Sequence, residues 1–147
     1  MAEHPHRASR RRSAPVDLAG GGRALSAWRA LSALALLAMG GIHLYLRFNG
    51  SGGLIGVLFV LNAVGGLVLA AAVLAVPRAL LPPVSALGLL FLGGTLLALV
   101  LALTVGLFGI RQQLGADLVL ATLVVESAGT VVLAVTTALA FRARRQR

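Results

Sequence analysis

The chain has 147 residues, of which 13 are arginine, none is lysine and 4 are acidic; the net charge is +9, 59% of positions are hydrophobic and the mean hydropathy is +0.95. Charged residues make up 12% of the chain against about 25% in soluble domains, which excludes an ordinary water-soluble enzyme and a wholly disordered chain. The lack of cysteine excludes a disulfide scaffold and thiolate-held zinc or iron–sulfur centres.

Residues 1–25 contain Arg10-Arg11-Arg12, Gly20-Gly21-Gly22, Pro5 and Pro15, with too little apolar surface to fold alone, so a disordered basic tail is predicted. Its chemistry is that of a topology determinant that adheres to anionic lipid, and no interleaved aromatic residues suit it to nucleic acid. Ser9-Arg10-Arg11-Arg12 is similar to a twin-arginine export signal, but a long polar stretch separates it from the first apolar run and no small-residue cleavage site follows that run. The first span is therefore expected to be retained.

Residues 26–141 are read as a transmembrane domain of four helices, with spans at about 30–46, 54–76, 84–110 and 118–141, and residues 142–147 as a second basic tail. A hydrocarbon core of about 30 Å takes roughly 17 to 25 helical residues. Helix is the expected form because a lipid-exposed backbone must satisfy its own hydrogen bonds, and no segment alternates as a membrane strand does. Pro82 and Pro83 disfavour continuous helix, so the third span is set to begin near Val84 and to end near Ile110. The connections at 47–53, 77–83 and 111–117 are short, which makes successive spans antiparallel neighbours in one four-helix bundle.

Eleven arginines, Arg142, Arg144, Arg145 and Arg147 among them, fall in the two tails, at Arg29 just before the first span and in the second loop. Only Arg47 and Arg111 fall on the other side, so the positive-inside rule places both termini in the cytoplasm of a bacterial plasma-membrane protein. Trp28 and Tyr45, at the inner and outer edges of the first span, sit where amphipathic rings favour the headgroup region.

Within the spans the informative residues are polar: His43, Asn62 and Glu126 lie at nearby depths in the outer half, Glu126 about eight residues, or roughly 12 Å, into the fourth span. Facing inward they could bond to one another, with Thr122 or Thr130 as further partners for the carboxyl. Small residues repeat every four positions at Asn62, Gly66 and Ala70, and at Gly94, Ala98, Ala102 and Gly106, a ridge that serves helix packing in membranes. The fourth span carries a similar row at Thr122, Glu126, Thr130, Ala134 and Ala138, while Ala35 and Met39 lie below His43. Thr104 stands off its ridge and is expected to bond its own backbone. The glycine pairs at 40–41, 65–66 and 93–94 likewise fit close helix packing rather than phosphate binding, since no Gly-Lys-Ser/Thr loop exists.

One intramembrane histidine cannot supply both axial ligands of a haem within one chain, though a symmetric dimer could, and His43 with Glu126 falls short of a metal site. No nucleophile–base–acid set is visible, and Ser127 points to a different helix face from Glu126. No cofactor or catalytic residue is expected. The expected partners are membrane lipids, together with a second copy of the chain or another membrane protein, and no nucleic acid.

At Gly41-Ile42-His43-Leu44-Tyr45-Leu46, Leu58-Phe59-Val60-Leu61-Asn62-Ala63-Val64-Gly65-Gly66, Leu103-Thr104-Val105-Gly106-Leu107-Phe108-Gly109 and Val125-Glu126 the chain resembles a group of small four-span integral membrane proteins of actinobacteria. Its arginine-only basic set and its Ala, Gly, Leu and Val content look like the product of a GC-rich genome. The resemblance implies location and topology and lends no activity. In span count and size alone the chain is loosely similar to DoxX-like membrane proteins. Small multidrug-resistance transporters also have four short helices with one buried glutamate, but theirs lies in the first span and Glu126 lies in the fourth.

Two functions follow from the sequence. The first is a non-catalytic membrane subunit, assembly factor or envelope component in which the polar cluster fixes helix register. The second is a proton-coupled small transporter or a quinone- or redox-associated component in which Glu126 loads a proton while His43 and Asn62 line the entrance.

Overall fold

A computed structural model describes residues 18–107, 109, 111–116 and 118–146. They form four helices, α1 (Leu18–Phe48), α2 (Gly53–Ala75), α3 (Leu81–Thr104) and α4 (Val119–Arg145), each long and apolar enough to cross a membrane. Arg10, Arg11, Arg12 and Arg147 lie outside the described residues. The tail predicted to be disordered through residue 25 is helical from Leu18 onward, and Leu25 is already part of the core.

Both ends of the third span differ from the sequence reading. The helix begins at Leu81 rather than Val84 and takes both prolines into its first turn, where the backbone N–H that proline lacks would have no intrahelical partner anyway. It ends at Thr104 rather than Ile110, because the Gly106 N–H turns back to the Leu101 carbonyl at 2.8 Å. Gly106 then turns the chain away from the helix axis with a left-handed backbone, φ +89°, that a side chain disfavours. Hence Gly106, expected on a packing ridge, terminates the helix. The chain then folds back over the end of α3, where the Gln112 N–H donates to the Ala102 carbonyl at 3.0 Å.

Packing is uneven around the bundle. α1 packs along both α2 and α4, α3 packs along α4, and α2 and α3 touch only slightly. Short connections do make neighbours of α1 with α2 and of α3 with α4, but the equally short α2–α3 link joins two helices that part. The wedge is Phe91 of α3, whose ring fills the space above Gly65 of α2, so that a Cβ on Gly65 would lie 2.8 Å from it.

The buried faces run in alternating steps of three and four residues, as at Thr122, Glu126, Gly129, Leu133, Thr136 and Ala140 of α4, and at Ser32, Leu36, Met39 and His43 of α1. This mean period near 3.5 keeps one face toward its partner along a long helix, whereas a strict four-residue row drifts away from it. Ala134 and Ala138 have drifted onto the exposed side, and Thr130 is half-buried. On α2, Gly66 and Ala70 are buried; on α3, Ala102 is buried, Ala98 is half-buried and Gly94 is exposed.

Two contacts fix α1 at the centre. Its backbone passes so close to α2 that a Cβ on Gly66 would lie 2.8 Å from the Leu36 carbonyl oxygen, and to α4 that one on Gly129 would lie 2.9 Å from the Ala35 Cβ. At the end of the bundle that carries the termini, the Arg29 guanidinium donates to the carbonyls of Val73, Leu74 and Val76 at 2.9, 2.7 and 2.8 Å. Those are the last carbonyls of α2, which have no helical partner and carry the negative end of the helix dipole. Deeper in the bundle the Ser32 and Thr136 hydroxyls lie 2.8 Å apart and pin α1 to α4.

Gly66 and Gly94 should therefore respond oppositely to the same substitution. Gly66→Ala forces a backbone shift and should destabilise the protein by about 1–3 kcal/mol. Gly94→Ala meets no heavy atom within 4 Å and should be neutral or stabilising by up to about 1 kcal/mol through helix propensity. Thermal unfolding in mild detergent reads both, and equal losses would contradict the parting of α2 from α3.

Candidate functional site

Beyond Phe91 the gap between α2 and α3 widens into a cavity of about 540 Å³ toward the end of the bundle that carries the 47–53 and 105–118 connections. Its α3 wall is built from Gly94, Ala98 and Ala102, whose lack of bulk leaves the space open, and its other walls include Leu58, Phe59 and Leu61 of α2. Gln112, carried there by the fold-back after α3, also lines it. The wall facing the seam is polar, with His43 from α1, Asn62 from α2, Thr95 from α3 and Thr122 and Glu126 from α4.

The structure thus brings His43, Asn62 and Glu126 to one cavity, with His43 Nε2 4.0 Å from Glu126 Oε1. Thr130 is not at that cavity: its hydroxyl donates to the Glu126 backbone carbonyl at 2.7 Å. The Thr122 hydroxyl is likewise committed to the Leu118 carbonyl at 2.7 Å, and Thr104 bonds back to Val100 at 2.8 Å. The rotamers that a helix allows to threonine favour these bonds to its own preceding turn.

Glu126 is 0% exposed, and among the described residues neither carboxyl oxygen has a partner within hydrogen-bond geometry. The Thr95 hydroxyl, on α3, stands between the Glu126 carboxyl and the Leu92 carbonyl oxygen 2.8 Å away, and its one hydrogen can serve only one of them at a time. His43 is 7% exposed and held on two sides. Its Nδ1 lies 2.9 Å from the Met39 carbonyl oxygen, and Phe59 meets the ring edge-on with centroids 5.0 Å apart. A carbonyl can only accept, so Nδ1 carries a hydrogen and Nε2 is the nitrogen that faces Glu126.

The protonation of the pair follows from this geometry. With Nδ1 protonated, Nε2 and the two carboxyl oxygens have lone pairs that no close hydrogen bond fills among the described residues. An uncompensated negative charge buried within an apolar bundle is costly. A proton on either Nε2 or the carboxyl would make the pair neutral overall, and the two atoms lie 4.0 Å apart.

Sequence reasoning did not single out Phe91, Thr95 or Gln112, and named Phe59 only within a motif, without a role at the site. Phe59 stands three residues before Asn62 and so shares its helix face, a signal that could have been used. Phe91 and Gln112 act through a wedge and a fold-back that no local pattern announces. No family model, curated protein or solved structure matches the chain.

A buried carboxyl without a protein partner should weaken the fold rather than support it. Glu126→Met, of similar length and without polar atoms, is therefore expected to raise stability by about 1–3 kcal/mol. A drop of similar size in thermal unfolding would mean that the carboxyl holds the helices together.

Proposed function

We propose that this chain is a non-catalytic integral protein of the bacterial plasma membrane, with both termini in the cytoplasm. In this reading it takes a small membrane-dissolved molecule into the α2–α3 cavity and links its binding to the proton held by His43 and Glu126. The observation that carries the reading is that a fully buried carboxyl with both oxygens unpartnered lines a cavity of about 540 Å³. Polar groups retained only to fix helix register are expected to bond across a closed interface, as Ser32 and Thr136 do. Ligand sites have the opposite design, apolar walls with a few convergent polar groups whose bonding capacity the ligand completes.

Orientation supports the reading as well. The arginine asymmetry of the sequence puts the cavity in the outer half of the membrane, and the slight contact between α2 and α3 leaves a lateral way in from lipid. A proton released there has a short path past Gln112 to the external water.

Native mass spectrometry of the protein taken gently from its own membranes tests this. The wild type should retain a small molecule at one copy per chain. Gly94→Leu, which adds bulk on the cavity wall where a Cβ meets nothing within 4 Å, should lose it without loss of fold. A wild type that carries nothing, with Gly94→Leu indistinguishable from it in both mass and stability, would overturn the reading.

A further inference from the structure

Once the proton of the His43–Glu126 pair has left, both oxygens of Glu126 and Nε2 of His43 are acceptors, and the pair carries a negative charge. Among the described residues that line the cavity, Glu126 and His43 are the titratable ones and none carries a fixed positive charge. From the elements packed around the pair, α2 contributes Asn62, α3 contributes Thr95 and the connection after α3 contributes Gln112, all uncharged. The donors the lining offers are neutral, the amides of Asn62 and Gln112 and the hydroxyls of Thr95 and Thr122, and it lacks positive charge. A carboxylate or phosphate ligand would add a second negative charge with no cation to meet it. An alcohol would offer one donor and no charge.

We infer that the cavity binds a hydrophobic ammonium ion, an alkylamine in its protonated form, which enters from the lipid between α2 and α3 and displaces the proton of the His43–Glu126 pair. This rests on the cavity-binding reading above and names its ligand class. The ammonium takes the side of the cavity where Glu126 and His43 lie, the carboxyl, buried from the cavity in the unliganded chain, turns to meet its N–H groups, and its positive charge replaces that of the departing proton. One cation enters as one proton leaves, so the buried site keeps its net charge. The apolar body lies along Leu58, Leu61 and Ala98, and the rings of Phe59 and Phe91 line the same space, where an aromatic face attracts a desolvated cation.

Four probes with one chain length separate the chemistries: octylammonium, octyltrimethylammonium, octanol and octanoate, titrated calorimetrically into the full chain in lipid nanodiscs with empty nanodiscs subtracted. Octylammonium should bind most tightly, octyltrimethylammonium more weakly because it has charge without N–H donors, and octanoate not at all. Repeating the titration in two buffers of unlike ionisation enthalpy should show about one proton released per ammonium bound. Glu126→Gln, a near-isostere, should weaken octylammonium by about 10- to 100-fold, the scale of one charged hydrogen bond. Glu126→Asp, which keeps the charge, should recover part of that loss, with thermal unfolding as the check on both folds.

Octanol binding as tightly as octylammonium without proton release, or Glu126→Gln binding octylammonium within twofold of the wild type, would overturn the cation assignment and leave the cavity reading standing. If none of the probes binds while native mass spectrometry still finds a retained molecule, the cation assignment falls alone. If neither finds a ligand, both readings fall together.

Discussion

The arrangement depends on how closely α1 approaches two of its neighbours and on what is left over when it does. At Gly66 and Gly129 the absence of side chains lets the α1 backbone lie against α2 and α4, which yields dispersion contacts and buries hydroxyl pairs such as Ser32 with Thr136. In lipid this is the main source of association, since apolar side chains gain little by leaving hydrocarbon for a protein interface. Having satisfied α1, α2 and α4 cannot also bring α3 flush against α2. Phe91 takes up the difference at mid-depth, and the small residues beyond it leave a cavity.

The ends of the helices matter as much as their faces. Arg29 gives its donors to the last carbonyls of α2, so an arginine that reads in the sequence as a topology signal also completes the backbone hydrogen bonding of a neighbouring helix. A planar guanidinium can reach three carbonyls at once, which the compact ammonium of a lysine does poorly. At the opposite end Gly106 stops α3 early and turns the chain back over its end, which brings Gln112 to the cavity lining.

The chemistry of the polar wall comes from an imbalance between donors and acceptors. Thr122 and Thr130 spend their hydrogens on their own helix and Thr95 is shared with the Leu92 carbonyl, while the Met39 carbonyl orients His43 so that Nε2 is turned to the carboxyl. The carboxyl is left with bonding capacity that the described residues do not fill at close range. Such a group weakens a fold unless something else completes it.

The sequence by itself determined the four apolar helices, because the lengths of its charge-free stretches match the bilayer and a lipid-exposed backbone has helix as its ready solution. It also singled out His43, Asn62 and Glu126 as the polar residues of the spans, since a polar residue among aliphatic ones is visible without a fold. Helix ends were less legible: Pro82 and Pro83 read as breakers and sit in a first turn, and Gly106 read as a packing residue and is a stop. Only the tertiary structure decided which helices touch, that His43 and Glu126 face each other at 4.0 Å and that a cavity opens beside them. These depend on distances between helices far apart in sequence, set by glycine contacts and one phenylalanine wedge. A four-residue rhythm records which residues are small, and whether they meet a neighbouring backbone or line empty space is settled by the helix opposite.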